Sequence, residues 1–166
     1  VRTTVLFGEY DLTIDEKNRL LVPAEVRRSL DPEADGGAFF VTVGKNRKPW
    51  LYPERRYEAL VSKLESQLTP ADDELAFDQM VFSMASREEW DSQGRLLLKE
   101  KYRTRTGLAR EITMIGVRDH LEIWNRDDWA KRRDELEGQR AEISARQRQQ
   151  MIAADGSSNG SPGKPL

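Results

Sequence analysis

Apolar residues along this chain recur with two different periods. Short β-prone runs, FFVTV at Phe39 to Val43, WLYP at Trp50 to Pro53, ITMIGV at Ile112 to Val117 and LEIWN at Leu121 to Asn125, fall in two separated groups bounded by polar turns. Between the groups the spacing changes to three and four. Pro53 stands where a first-turn proline belongs, and Tyr57, Leu60, Val61, Leu64 and Leu68 follow on one helical face. Thr69 and Pro70, with Asp72 and Asp73 in the first turn, open a second helix that places Phe77, Met80, Val81 and Met84 on one side. These two segments predict a helical hairpin joining two β-rich flanks. Past Asn125, read as an N-cap, a sparse stripe of Trp129, Leu136, Ile143 and Met151 predicts one long helix with Gly138 as its main breaker. Asp155 to Leu166 reads DGSSNGSPGKPL, and its single apolar residue, Leu166, cannot repay the entropy of ordering the backbone. A disordered tail is expected there.

The flanks repeat each other. DEKNRLLVP at Asp15 to Pro23 aligns with DSQGRLLLK at Asp91 to Lys99 under a shift of 76, matching Asp15 with Asp91, Arg19 with Arg95, and Leu20 and Leu21 with Leu96 and Leu97. In both copies a short basic stretch, a β-prone run, an aromatic run and a helix start follow in that order. Each copy spans roughly fifty residues, too few to bury a large core alone, so the two units are expected to pair.

Asp, three residues, then Arg ahead of an apolar run is the pattern of a tight turn. Asp15 or Asp91 accepts backbone N–H groups at the first corner, and Asn18 or Gly94 takes the left-handed position that Asn and Gly tolerate. Leu12 to Ile14 and Leu20 to Val22 would then pair as a hairpin with Arg19 at its mouth, and Arg95 would occupy the same place in the second copy. A single such Arg does no more than pair with the Asp four residues earlier, a surface contact worth a fraction of a kcal/mol. Here both copies keep the Arg while the intervening residues change from EKN to SQG, which points to a role for the guanidinium groups themselves.

Composition narrows the chemistry. The chain has no Cys and one His, His120, so disulfide scaffolds, thiol enzymes, zinc knuckles and multi-histidine metal centres are excluded, and a Ser-His-Asp triad would have to be built on His120. Carboxylates such as Glu88, Glu89 and Asp91 could do acid-base work, but no Gly-rich phosphate loop or nucleophile elbow accompanies them. A non-enzymatic protein without cofactor, metal or small-molecule substrate is expected. No apolar run approaches the ~18 residues of a membrane span and no secretory layout opens the chain, so a soluble cytoplasmic protein is expected. Charge placement adds the rest. Arg95, Lys99, Lys101, Arg103, Arg105 and Arg110 face one acid, Glu100, over sixteen residues, a local charge of +5 in a chain of net charge −2. Such a stripe concentrates polyanions.

FGEYDLTIDEKNRLLVPAEVRRSL, the central WLYPERRYEAL, and EEWDSQGRLLL with IGVRDHLEIWNRDDW together resemble the MraZ family of bacterial transcriptional regulators, over about residues 5 to 135. The resemblance implies an α+β fold of two tandem AbrB-like swapped-hairpin units forming a β-barrel-like pseudo-dimer: a first unit at 5–52, a helical insert at 53–85, a second unit at 86–125, a C-terminal helix at 126–154 and a tail at 155–166. It also implies a homo-oligomeric ring on double-stranded DNA, nucleoid-associated, at short direct repeats in promoters of the cell-division and cell-wall gene cluster. The DNA-contacting set carries over as Lys17, Arg19 and Arg95, and the basic stripe adds Lys99, Lys101 and Arg103. Asp15, Asn18, Asp91 and Gly94 form the turns. Asn18 stands where the family commonly has Gly, and Lys99 and Glu100 replace an apolar-Pro pair. The competing reading is a non-catalytic oligomeric scaffold for protein partners, which the repeat serves equally well but from which the +5 stripe does not follow.

Overall fold

A computed structural model describes residues 3–158. They divide between Arg126 and Asp127 into two compact units.

The first unit is α+β. Its strands and helices, in chain order, are β1 (Glu9–Thr13), β2 (Arg19–Leu21), α1 (Ala24–Ser29), α2 (Pro32–Asp35), β3 (Phe39–Val43), β4 (Pro49–Pro53), α3 (Glu54–Val61), α4 (Asp72–Phe82), β5 (Ser86–Glu88), β6 (Arg95–Leu97), α5 (Glu100–Thr106), β7 (Glu111–Gly116) and β8 (Leu121–Asn125). The four β-prone runs read from the sequence are β3, β4, β7 and β8 to within a residue at each end. They belong to one antiparallel six-stranded sheet ordered β1-β7-β8-β4-β3-β5, while β2 and β6 form a separate two-stranded antiparallel ladder. Both arrangements are symmetric under exchange of the repeats: β1 corresponds to β5, β7 to β3 and β8 to β4. In the ladder Leu20 opposes Leu96, its own counterpart in the other copy.

This pairing corrects the hairpin expected at each corner. The Asp15 N–H donates to the Arg19 carbonyl and the Asn18 N–H to the Asp15 carbonyl, closing the turn, but no ladder continues from it; β1 runs along β7, with Leu12 opposite Ile112, and β2 crosses to β6. Either partner leaves Leu20 facing inward, so the alternation of side chains is the same in both arrangements. The core decides between them. Ile14, Leu20, Val22, Leu96, Leu98, Ile112, Met114 and Ile123, drawn from both copies, are all fully buried in one cluster, which neither fifty-residue unit could build alone. Tyr102 of α5 anchors it from the helical side, its buried hydroxyl within hydrogen-bond reach of the carbonyl oxygens of Val41 and Met84, either of which can take its one proton, and pairing with Ser86 Oγ at 2.8 Å.

The helical insert is less regular than its spacing predicts. Pro53 is the residue before α3, and α3 stops at Val61 because only Tyr57 is buried; Leu64 and Leu68 find nothing to cover them, and packing rather than propensity sustains a short helix. The second helix starts two residues later than expected, after Ala71, and its apolar side is open: Phe77 is half exposed and Met80 two-thirds exposed.

The second unit is helical. The single C-terminal helix predicted from the sequence is two, α6 (Arg126–Gly138) and α7 (Arg140–Ser158), broken next to Gly138. Asn125 does not cap α6 with its side chain, which is engaged on the loop after α5: Oδ1 accepts the Ala109 N–H at 2.7 Å and Nδ2 donates to the Gly107 carbonyl at 3.0 Å. The expected disordered tail begins inside α7, since Asp155 to Ser158 are helical, and its remainder lies outside the described residues. No helix among the described residues is long and apolar enough to cross a membrane.

Candidate nucleic-acid interface

The two corners have the same atomic construction. At the first, the Asp15 carbonyl accepts the Asn18 N–H at 3.0 Å. Its Oδ1 accepts the N–H groups of Lys17 and Arg19, each at 2.9 Å, and its Oδ2 receives Arg19 Nε at 2.8 Å. At the second, the Asp91 carbonyl accepts the Gly94 N–H at 2.9 Å, Oδ1 accepts the N–H groups of Gln93 and Arg95 at 2.9 Å, and Oδ2 receives Arg95 Nε at 3.0 Å. Asn18 and Gly94 hold φ of 58° and 81°, the left-handed conformation expected for both. Backbone N–H donation, first from Arg19 and Arg95, holds the Asp15 and Asp91 carboxyls below the usual carboxylate range.

Each corner is locked by the opposite copy. The Gly94 carbonyl accepts the Val22 N–H and the Asn18 carbonyl accepts the Leu98 N–H, both at 2.8 Å, extending the β2–β6 ladder at its two ends. Behind the first corner, Asn18 Nδ2 donates to Glu100 Oε2 at 2.6 Å and Asn18 Oδ1 accepts Arg103 Nη1 at 2.9 Å. Behind the second stands Arg27, whose Nε donates to the Val22 carbonyl at 3.0 Å and whose Cζ lies 2.5 Å from the place a Cβ on Gly94 would take. Arg27 and Arg103 are themselves equivalent under the shift of 76. Arg110 adds a third support, Nη1 donating to the Asp15 carbonyl at 2.5 Å. Extending the repeat alignment eight residues past Arg19 matches Arg27 with Arg103, whereas nothing in the sequence pattern marks Glu100 or Arg110 as corner residues.

Alternation along the ladder puts Leu20 and Leu96 in the core and Arg19, Leu21, Arg95 and Leu97 on the opposite, open face. Arg19 opposes Leu97 and Arg95 opposes Leu21, which makes the two arginines diagonal neighbours about 7–8 Å apart. Each spends Nε on its own Asp, and no hydrogen bond among the described residues engages Nη1 or Nη2 of either. Lys17 is exposed in the first turn beside them. The other predicted cations lie elsewhere or point elsewhere: Lys99 pairs with Glu88 at 3.2 Å, Lys101 donates to the Ser83 carbonyl and covers the Tyr102 ring, and Arg103 backs Asn18.

His120, buried at the β7–β8 turn where the sequence places it, stacks on Trp50 at 4.0 Å between the rings and bonds Asp119 Oδ1 and Glu122 Oε2. It serves the sheet, far in the chain from either corner. Among the described residues no group of three or more His, Asp or Glu side chains could hold a metal ion.

Comparison with known proteins agrees with this two-copy arrangement. A family model described as "MraZ protein, putative antitoxin-like" matches twice, at residues 5–79 and 81–151. A protein of Thermomicrobium roseum named transcriptional regulator MraZ is 35% identical over 142 residues, covering 86% of this chain and 96% of its own length. Proteins of the same name from Heliobacterium modesticaldum and Moorella thermoacetica are 35% and 36% identical over 76% and 75% of this chain, and 85% and 84% of their own lengths. With two tandem family matches falling on the two symmetric halves, the chain belongs to the MraZ family.

Proposed function

We propose that the protein is a sequence-specific transcriptional regulator that binds double-stranded DNA through the open face of the β2–β6 ladder. The two repeats act as AbrB-like swapped units joined in a barrel-like pseudo-dimer, and copies of the chain assemble into a ring that engages promoter direct repeats of the cell-division and cell-wall gene cluster, in the nucleoid. Arg19 and Arg95 contact bases or phosphates, Lys17 adds a phosphate contact, and Lys99, Lys101 and Arg103 contribute field and support. No catalytic step or cofactor enters.

The observation that carries this reading is the pair of identical corners that hold two part-exposed guanidinium groups by Nε on one face of the ladder, with no hydrogen bond among the described residues to Nη1 or Nη2 of either. Guanine O6 and N7, or a phosphate, accept a forked pair of such donors, and the major groove admits a two-stranded ribbon. A ring repeats the pair around its rim, so contacts that are weak singly multiply through valency. The names of the relatives support the regulatory role.

Arg19→Ala and Arg95→Ala test it. Both should lower affinity for promoter DNA while leaving the assembly intact, and each lost phosphate contact should reduce the slope of log K against log salt by about 0.9. Unchanged affinity and slope in both variants refute the assignment. The open apolar side of α4, with Phe77 and Met80 exposed, favours the second reading, an oligomeric scaffold. That reading takes over if the intact assembly retains no upstream duplex at low salt.

A further inference from the structure

The open face of the ladder is only half cationic. Leu21 and Leu97 stand on it beside Arg19 and Arg95, 46% and 43% exposed, although the strands have already placed Leu20 and Leu96 in the core. Their exposure is not required by the fold: inward packing at this ladder is completed by the residues of opposite parity. Each leucine is the direct cross-strand neighbour of a guanidinium, Leu21 of Arg95 and Leu97 of Arg19, and the internal symmetry makes the two pairs equivalent. Two apolar side chains at the centre of a ribbon face, each beside a fixed cation with uncommitted donors, define what can dock there. A second protein copy would have to bury both guanidinium groups against acceptors it supplies, at a desolvation cost. The floor of a DNA major groove meets both needs at once, because a guanine edge offers O6 and N7 to the Arg while a thymine offers its 5-methyl group to an apolar neighbour.

We propose that Leu21 and Leu97 are specificity determinants that read thymine through its 5-methyl group, alongside the positions engaged by Arg95 and Arg19. This rests on the DNA-binding reading above and extends it from affinity to sequence. The arginines supply the charge-dependent part of binding and the leucines a charge-independent part. Two sensitive thymines are expected, within about two or three base-pair steps, from the 7–8 Å diagonal spacing of the pairs against a 3.4 Å rise.

The test uses the full chain and a duplex enriched by it from a random-sequence pool, with each thymine of the enriched site replaced in turn by deoxyuridine, which removes only the methyl. Wild-type protein should lose about fourfold in affinity at each sensitive position, the equivalent of ~0.8 kcal/mol for burying one methyl-sized group. A Leu21→Ala/Leu97→Ala protein should bind the thymine duplex as weakly as wild type binds the doubly substituted one, show no further loss on substitution, and keep the wild-type salt slope. Arg19→Ala should lose affinity and salt slope yet still distinguish thymine from deoxyuridine. Full tolerance of deoxyuridine by wild type, an enriched site without thymine, or undiminished discrimination by the double variant overturns the proposal while leaving DNA binding standing. Loss of the assembly in the double variant, by native mass measurement, would instead make this face a contact between copies. If no duplex is enriched at low salt, the DNA reading fails and this proposal fails with it.

Discussion

Replacing Asn18 by Gly gives the first corner the residue that Gly94 supplies at the second, and relief of the left-handed side chain by itself would predict a more stable protein. The opposite outcome follows from the contacts. At φ 58° the exchange removes the strain of a side chain in the left-handed region, up to about 1–2 kcal/mol for a general residue and less for Asn, but adds about 0.5–1 kcal/mol of backbone entropy cost for Gly. Those contributions nearly cancel. What remains is the loss of two charge-assisted hydrogen bonds, Asn18 Nδ2 to Glu100 Oε2 at 2.6 Å and Arg103 Nη1 to Asn18 Oδ1 at 2.9 Å. Bonds to charged groups are worth ~1.5–3 kcal/mol each, and the exposure of Glu100 argues for the low end or below. Arg103 Nε is already buried without a partner, so removing the acceptor at Nη1 leaves that guanidinium poorly satisfied. A net destabilisation of about 2 kcal/mol is expected. Urea unfolding followed by tryptophan fluorescence measures it, and a double-mutant cycle with Arg103→Gln should return a coupling of about 1 kcal/mol. A variant as stable as wild type, or strictly additive with Arg103→Gln, refutes the reasoning.

Gly94→Ala should cost about 2 kcal/mol in the same assay, because the new Cβ sits at φ 81° and 2.5 Å from Arg27 Cζ, which must give up the Val22 carbonyl to move; a loss under about 0.5 kcal/mol would show that Arg27 relocates freely. His120 makes stability pH-dependent on the neutral-to-alkaline side. Burial alone would lower its pKa, but the hydrogen bonds and charges of Glu122 and Asp119 outweigh that and raise it above 6.5. A raised folded-state pKa gives stabilisation that is complete below about pH 6.5 and fades as pH rises through the raised value. Urea midpoints of wild type should therefore fall more steeply above about pH 6.5 than those of His120→Gln, and parallel curves would contradict the ion-paired imidazole.

Much of this architecture is written in local pattern. The runs at β3, β4, β7 and β8 are apolar on one parity and bounded by turn residues, and the corners announce themselves because only Asn and Gly among the intervening residues suit a left-handed step. Strand exchange is not legible in the same way, since Leu20 faces inward whether its partner is β1 or β6, and only the need to build one core from two small units argues for crossing over. The end of α3 was hidden for a related reason: Leu64 and Leu68 keep helical spacing, but spacing does not say whether anything lies opposite them. An Asn before a helix has two uses for its side chain, and at Asn125 the loop at Gly107 and Ala109 wins the competition with the helix end. Of the residues proposed to meet DNA, Lys17 is exposed and Arg19 and Arg95 pair only through Nε with the Asp of their own corner, whereas Lys99, Lys101 and Arg103 are engaged by Glu88, Ser83 and Asn18 away from the ladder's open face. A sum of charge over sixteen residues cannot distinguish a cation that is available from one that is engaged.

The bond between Asp15 and Arg19 looks at first like an argument against a role in binding, because an Arg paired with its own Asp is partly neutralised. Its geometry argues the reverse. As a stability device an exposed pair is worth ~0–1 kcal/mol, yet the same atoms recur at both corners, Oδ2 always on Nε. Contact through Nε fixes the plane of the guanidinium and leaves Nη1 and Nη2 for an outside acceptor, so the ~0.5–1.5 kcal/mol of side-chain ordering that binding would otherwise cost is met before DNA arrives. Asp15→Asn separates the two views. Asn keeps an oxygen for the N–H groups of Lys17 and Arg19, so the turn persists, but it turns an amide towards Nε in place of the carboxylate. The change also makes the chain one unit more positive, which by field alone should tighten DNA binding. If Asp15 is a positioning residue, affinity should instead fall, by about two- to twelvefold from that ordering cost. Binding titrations at several salt concentrations read the sign directly. Tighter binding by Asp15→Asn would mean that the aspartate only shields the arginine, and the preorganised corner would have to be abandoned.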